Sequence, residues 1–351
     1  MKNSKSISIF GLGYVGCVSL GCLAQNGYKV IGVDVNQNKI NLINNGKPTI
    51  IEKDIDKIIG EQFNNKQISA TNDYRKAVRK TDISIICVGT PSTKEGHLNL
   101  KYIYKVAEEI AEEIKEKKEF HTVVIRSTVL PGTNFKIGEI IEQVSGKKRN
   151  TDFGIVSNPE FLREGTAVAD YYNPALTIIG SDNEMALDIM AEVYEKINAP
   201  IYKVSVKEAE IIKYINNSFH ALKISFANEV GNICKELDID SRNVMDLFCK
   251  DDQLNISPYY FKPGFAYGGS CLPKDLKGLR TLSHDHYITS PLIEAIESSN
   301  NNQKRIAINL IESQKKKKIG ICGRLVDISQ DPLVQKSPKI NDFWRKNGQK
   351  T

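Results

Sequence analysis

Ser6-Ile-Ser-Ile-Phe10 runs without a break into Gly11-Leu-Gly13-Tyr-Val-Gly16. The first stretch reads as a short apolar strand, and the second as a turn that opens a helix. Gly11 permits the tight turn, Gly13 lets a pyrophosphate reach the backbone, and Gly16 lets helix and strand pack closely. The free N–H groups of the helix's first turn then face the phosphates. Asp34 ends a second apolar run, 29–34, where a dinucleotide-binding unit keeps the acid for the adenosine ribose. An aspartate there repels a 2′-phosphate, so the expected cofactor is NAD rather than NADP. Lys39 pairs with Asp34, contacts the ribose, or is solvated.

The pattern continues outward from this unit. Strand candidates follow at 82–88, 122–126, 153–156 and 176–179, several of them continuously apolar and β-branched, as strands buried on both faces are. Stretches such as 102–115 between them are long enough for crossover helices. The fold class is therefore α/β, a Rossmann-like doubly wound parallel sheet. Val88-Gly-Thr90-Pro91 and Arg126-Ser-Thr128-Val-Leu-Pro131-Gly132 leave the C-terminal ends of two strands, where an open sheet places its ligands.

After Pro200 the pattern changes. Residues 205–237 read as one long helix, with Ser205 and Glu208 at capping-box spacing. Further helices are expected at 243–249 and 291–314, with a Gly-, Pro- and aromatic-rich loop between. The organisation expected is an NAD-binding domain over 1–200, a central helical domain over 201–300, and a connecting helix with the start of a third domain over 301–351.

The long helix carries Lys213, Asn217, His220, Ile224 and Asn228 at spacings that share one face. Amides and imidazole in that stripe suit ligand binding better than a solvated face. The loop ending Gly-Gly-Ser-Cys271-Leu-Pro-Lys274-Asp275 lets backbone crowd a ligand and sets a thiol at or near a helix start, a place that favours thiolate. Cys17, Cys22, Cys87, Cys234, Cys249 and Cys322 read as small buried hydrophobes.

Composition narrows the function classes. The chain has 351 residues, 40% hydrophobic and 26% charged, with a net charge of +6. From Lys315 onward there are ten Lys/Arg and three Asp, leaving 38 basic and 39 acidic side chains elsewhere. The body has no basic excess, which argues against a nucleic-acid partner. No apolar run approaches a membrane span, no metal-ligand pattern is present, and seven widely spaced cysteines suit a reducing cytoplasm.

Gly11-Leu-Gly-Tyr-Val-Gly16, Asn158-Pro-Glu-Phe-Leu-Arg-Glu164-Gly and Gly268-Gly-Ser-Cys-Leu-Pro-Lys-Asp275, in that order, resemble the UDP-glucose/GDP-mannose dehydrogenase family, which oxidises a sugar C6 hydroxyl to a carboxylate. Tyr259-Tyr260 before Pro-Gly-Phe, and Leu-Pro after the cysteine, are similar to the branch acting on GDP-mannose, a step of alginate-type polysaccharide synthesis. UDP-glucose oxidation is the sister reading.

The resemblance implies a four-electron oxidation with two NAD. Cys271 attacks the intermediate aldehyde, and the thiohemiacetal is oxidised to a thioester that water hydrolyses. Lys213 and Asn217 would stabilise the oxyanion, Asp275 and Thr128 would place or activate water, and Glu160 would be an acid/base partner. Glu164, Lys213, Asn217, His220, Asn228, Tyr259, Tyr260, Lys262, Phe265 and Gly268 would hold the nucleotide sugar. Tyr14, Val15, Asp34, Lys39, Thr90, Thr128 and Lys274 would contact NAD. A homodimer through the long helix is expected.

Two departures stand out. Lys262 replaces an arginine and loses the bidentate fork. Gly323 is followed by Arg324-Leu-Val-Asp-Ile, not by the family's third Rossmann-like domain, so a truncated third domain and impaired turnover are expected. The competing readings are a non-catalytic NAD-binding remnant and a 3-hydroxyacid dehydrogenase, which uses no cysteine and transfers one hydride.

Overall fold

The structure is a computed structural model that describes residues 5–94, 96–236, 238–251, 264–285, 287 and 291–314. The chain divides into two compact units, Met1–Lys213 and Tyr214–Thr351, and the boundary falls within one long helix.

The first unit holds an eight-stranded sheet: β1 (Ser6–Phe10), β2 (Lys29–Val33), β3 (Ile68–Thr71), β4 (Ile83–Ile86), β5 (His121–Ile125), β6 (Phe153–Ser157), β7 (Thr177–Gly180) and β8 (Ile201–Val204). Their spatial order is β3-β2-β1-β4-β5-β6-β7-β8, so the chain switches direction across the sheet between β1 and β4. Register aligns Phe10 with Val33 and Ile86, Ile86 with Ile125, and Ile125 with Ser157. The turns after β1, β2, β4, β5 and β6 therefore emerge along one edge, on either side of the switch point.

Alternation along each strand builds a core on both faces. Ile7, Ile9, Ile83, Ile85 and Val124 pack with the helix Tyr14–Gln25 on one side. Phe10, Ile86, Val123 and Ile125 pack with Lys101–Ile114 and Thr133–Ser145 on the other. The sheet departs from a wholly parallel one at a single pairing, β6 with β7, which is antiparallel through Ser157 and Gly180. The connection between them contains only the short helix Ala167–Tyr172, and β7 starts from the edge at which β6 ended. β3 and β8, absent from the strand candidates, are four-residue edge strands: exposure alternates along β3, and no residue of β8 is fully buried.

A polar thread crosses the sheet's interior away from that edge. The hydroxyls of Thr81 and Ser8 lie 3.1 Å apart, those of Ser8 and Ser84 2.8 Å, and Ser84 Oγ is 2.9 Å from His121 Nε2. His121 is fully buried, and burial, with Lys117 nearby, holds its pKa well below the ordinary histidine range. The folded state keeps the ring neutral, whereas the unfolded chain takes up a proton near pH ~6.5. The stability this supplies is complete above that value and lost as pH falls below it, at about 1.4 kcal/mol per pH unit. Urea unfolding of His121→Leu between neutral pH and the onset of acid unfolding should show that slope flattened by one proton. An unchanged slope would assign the acid limb elsewhere.

The long helix, Val206–Glu236, begins with the expected capping box: Glu208 Oε2 accepts from Ser205 N at 2.8 Å, and Ser205 Oγ accepts from Glu208 N at 3.4 Å. The second unit adds the helices Ser241–Phe248, Cys271–Asp285 and Pro291–Ser313. Its small core joins Ala221, Tyr267, Leu276 and Ile296. Among the described residues no helix is long and apolar enough to cross a membrane.

Candidate functional site

In the first unit, Gly11 has φ +96°, and a Cβ there would sit 2.9 Å from the Cys87 carbonyl oxygen. A Cβ on Gly16 would overlap the Gly11 carbonyl oxygen, so only glycine lets the helix close on the turn. A Cβ on Gly13 would meet nothing within 4 Å, which leaves the backbone bare on the side an incoming phosphate would take. The helix that follows has no side-chain cap on its N-terminus. Asp34 ties the turn to β2: Oδ2 accepts from Leu12 N at 2.7 Å and Oδ1 from Asn36 N at 2.8 Å. Lys39 Nζ is 3.5 Å from Asp34 Oδ2, which favours the pairing among its three readings. A bare glycine backbone, an uncapped helix start and a carboxylate at the end of β2 together fit NAD.

The neighbouring turns are linked. Thr90, buried, donates its hydroxyl to the Thr128 carbonyl at 3.1 Å, so the β4 and β5 turns lie together. Tyr14, beside Val15 in the first helical turn, donates to Glu52. The same Glu52 oxygen accepts from Gly165 N at 2.7 Å, and burial and this acid push the phenol pKa up. The segment after β6 is thereby fastened to the first helix, with Glu164 exposed beside it. Glu52 gave no sequence signal, because its partners are distant in the chain.

Lys213 and Glu160 form a buried ion pair at 3.1 Å, with side chains 7% and 9% exposed. Glu160 Oε2 also accepts from Leu162 N at 2.7 Å. Beneath it, the buried Arg126 donates to Asn158 Oδ1 at 2.7 Å and to Tyr194 Oη at 2.9 Å, while Asn158 donates to the Ile178 carbonyl at 2.8 Å. Arg126 was marked in the sequence, as the residue that ends a strand candidate and opens the turn after it. Glu210, one turn before Lys213, was not: its buried carboxylate accepts from Gly132 N at 2.7 Å and Asn134 N at 2.8 Å. Burial raises its pKa and those two bonds oppose the rise.

In the second unit, Asn217 is buried and donates to Asp275 Oδ2. Asp275 is 1% exposed, its Oδ1 has no hydrogen-bond partner among the described residues, and Lys274 Nζ lies 3.4 Å from that oxygen. Cys271 is exposed at the first residue of its helix, with Ser270 Oγ 3.7 Å from the thiol. Burial pushes the Cys22 and Cys87 thiols up to about 12. Asn228 is buried and holds the backbone of residues 264 and 265; His220 is half-buried; Phe265 and Gly268 are exposed. Burial of Lys213, Asn217 and Asn228 rules out the solvated reading of the helix stripe. Tyr259, Tyr260, Lys262 and Cys322, with all of 315–351, lie outside the described residues.

Residues 5–198 match the model of the UDP-glucose/GDP-mannose dehydrogenase family NAD binding domain, and 207–302 that of the family's central domain. GDP-mannose 6-dehydrogenase of Pseudomonas aeruginosa is 48% identical over 335 residues, covering 94% of this chain and 77% of that one. A crystal structure of a ternary complex of GDP-mannose dehydrogenase from the same species matches at TM-score 0.71 and 46% identity, over 97% of this chain and 79% of that one. A UDP-glucose dehydrogenase from the archaeon Pyrobaculum islandicum matches at TM-score 0.85 and 34% identity, over 89% and 72%.

Proposed function

Since the chain belongs to the UDP-glucose/GDP-mannose dehydrogenase family, whose members are NAD-dependent nucleotide-sugar dehydrogenases, we propose that it oxidises GDP-mannose at C6 to GDP-mannuronate through a covalent Cys271 intermediate. The observation that carries this reading is the buried Asn217–Asp275 pair, with Asp275 one turn from an exposed thiol that starts its helix. The higher sequence identity to the Pseudomonas enzyme, 48% against 34% for the UDP-glucose dehydrogenase, supports GDP-mannose over UDP-glucose.

Gly11, Gly13, Tyr14, Val15 and Asp34 would hold NAD, which when bound would supply the hydride acceptor for both oxidations at C6. Cys271 adds to the aldehyde carbon: a C–S bond forms, the thiol proton leaves, and the carbonyl electron pair moves to oxygen. Lys213 and Asn217 stabilise that negative oxygen, a role that is strong in a water-poor site. Glu160, the partner of Lys213, exchanges the proton of the C6 oxygen. After the second oxidation, Asp275 takes a proton from the water that attacks the thioester, with Thr128 helping to place it. The C–S bond breaks and the thiolate is regained. His220, Glu164 and the 259–268 segment bind the nucleotide sugar.

With NAD and GDP-mannose, the chain should yield two NADH per sugar in an absorbance assay. Two NADH from UDP-glucose and none from GDP-mannose would reverse the substrate assignment, and one NADH per sugar would exclude the covalent route. Ile215 and Phe219, half exposed and one turn apart on the long helix, support a homodimer through it, which sedimentation velocity would test.

Cofactor choice has its own test. The Asp34 carboxylate should bond the adenosine ribose and repel a 2′-phosphate. Asp34→Ala should lower NAD affinity about tenfold or more by calorimetry and narrow the gap to NADP. Equal affinity of the unmodified chain for both cofactors would contradict this role.

A further inference from the structure

Residues 264–270 form neither helix nor strand, yet they lead directly into Cys271. Side-chain amides hold their backbone. Asn228, 3% exposed, accepts from Gly264 N at 2.7 Å and donates to the Phe265 carbonyl at 3.2 Å. Asn300, 5% exposed, accepts from Tyr267 N at 2.8 Å and donates to the Tyr267 carbonyl at 2.9 Å. Gln303 donates to the Gly264 carbonyl at 2.6 Å. Asn300 and Gln303 share a face of the helix Pro291–Ser313.

An uncharged amide offers a donor and an acceptor side by side. Set against the N–H and C=O of Tyr267, Asn300 supplies the two bonds that a neighbouring strand would supply in an antiparallel pair. The loop thus gains the fixed backbone of a strand without being part of a sheet. Tyr267 is also anchored by its ring, which is buried with Ala221, Leu276 and Ile296. The three residues that follow it, 268–270, are exposed, and neither Gly268 nor Gly269 has an atom within 4 Å of a Cβ position. One end of the loop is fastened and the other is open to a ligand, with the thiol at the junction to the helix.

We propose that Asn300 and Gln303, with Asn228, are positioning residues for Cys271: they fix residues 264–267 so that the thiol is presented in one orientation. This rests on the reading of Cys271 as the nucleophile. Asn228 then serves the site through the loop backbone, and the amide pair on the last described helix becomes part of the catalytic apparatus without touching substrate.

Asn300→Asp keeps the shape and the acceptor but sets a carboxylate oxygen against the Tyr267 carbonyl where a donor stood. In the 351-residue chain near neutral pH, hydrogen exchange in peptides covering 264–270 should rise about tenfold. The rate of Cys271 alkylation by iodoacetamide, read by peptide mass spectrometry, should change severalfold. Exchange across Val206–Glu236 and NAD affinity should stay as they were. Gln303→Met, which removes the bond to the Gly264 carbonyl, should move both readouts in the same direction and by less. An unchanged alkylation rate in both variants overturns the proposal, as does a uniform rise in exchange across the helices, which would mark general destabilisation. Failure of the nucleophile reading is seen separately, as uronate formed by Cys271→Ser.

Discussion

Cys271→Ser should cut uronate formation by roughly 10³-fold or more while leaving NAD affinity unchanged. The substitution exchanges one atom at an exposed position, so the fold loses nothing. Chemically it loses much, because a serine hydroxyl is almost wholly protonated near neutral pH and a thiol is the far better nucleophile. On the proposed route the first oxidation does not need the thiol. The variant should therefore release aldehyde and one NADH per sugar, to be read by product mass spectrometry beside NADH absorbance. Uronate at the normal rate would remove Cys271 from the mechanism.

Lys213→Met should act on both stability and rate. Glu160 would keep its charge in a buried place without its partner at 3.1 Å. Breaking a buried ion pair from one side costs about 3–5 kcal/mol, whereas replacing both partners is often close to neutral. Lys213→Met with Glu160→Gln should therefore recover most of the lost urea resistance. Turnover should recover in neither variant, because the charge proposed to stabilise the oxyanion is gone, a loss of roughly 10²–10³-fold. A single variant that unfolds early but turns over normally per folded molecule would exclude Lys213 from oxyanion stabilisation.

How much of this was legible in the sequence depended on where the information lay. β1, β2 and β4 to β7 stood out because strands buried on both faces are written as continuous apolar runs. β3 and β8 did not, because an edge strand needs only one apolar face; Tyr202, in the middle of β8, is 53% exposed. The glycine turn, the capping box and the position of Cys271 at a helix start are local, so spacing alone revealed them. Glu52, Glu210, Asn300 and Gln303 bond to backbone groups far along the chain. Any residue has such a backbone group, so no pattern of side chains marks the partner, and only the folded chain brings the two together.

Glu210 also changes what the β5 turn can offer. The sequence suggested that the turns after β1, β4 and β5 would all give amides to one crevice. At the start of Thr133–Ser145 that role is already taken: Glu210 fills the place with a carboxylate of the chain's own, on Gly132 N and Asn134 N. The start of Tyr14–Gln25 differs: its N-cap, Gly13, has no side chain to cap it, and the Asp34 carboxylate accepts from Leu12 N just before it. The amides of Gly132 and Asn134 thus serve a carboxylate of the chain's own, and the β5 turn has that much less to offer a ligand than its sequence suggested.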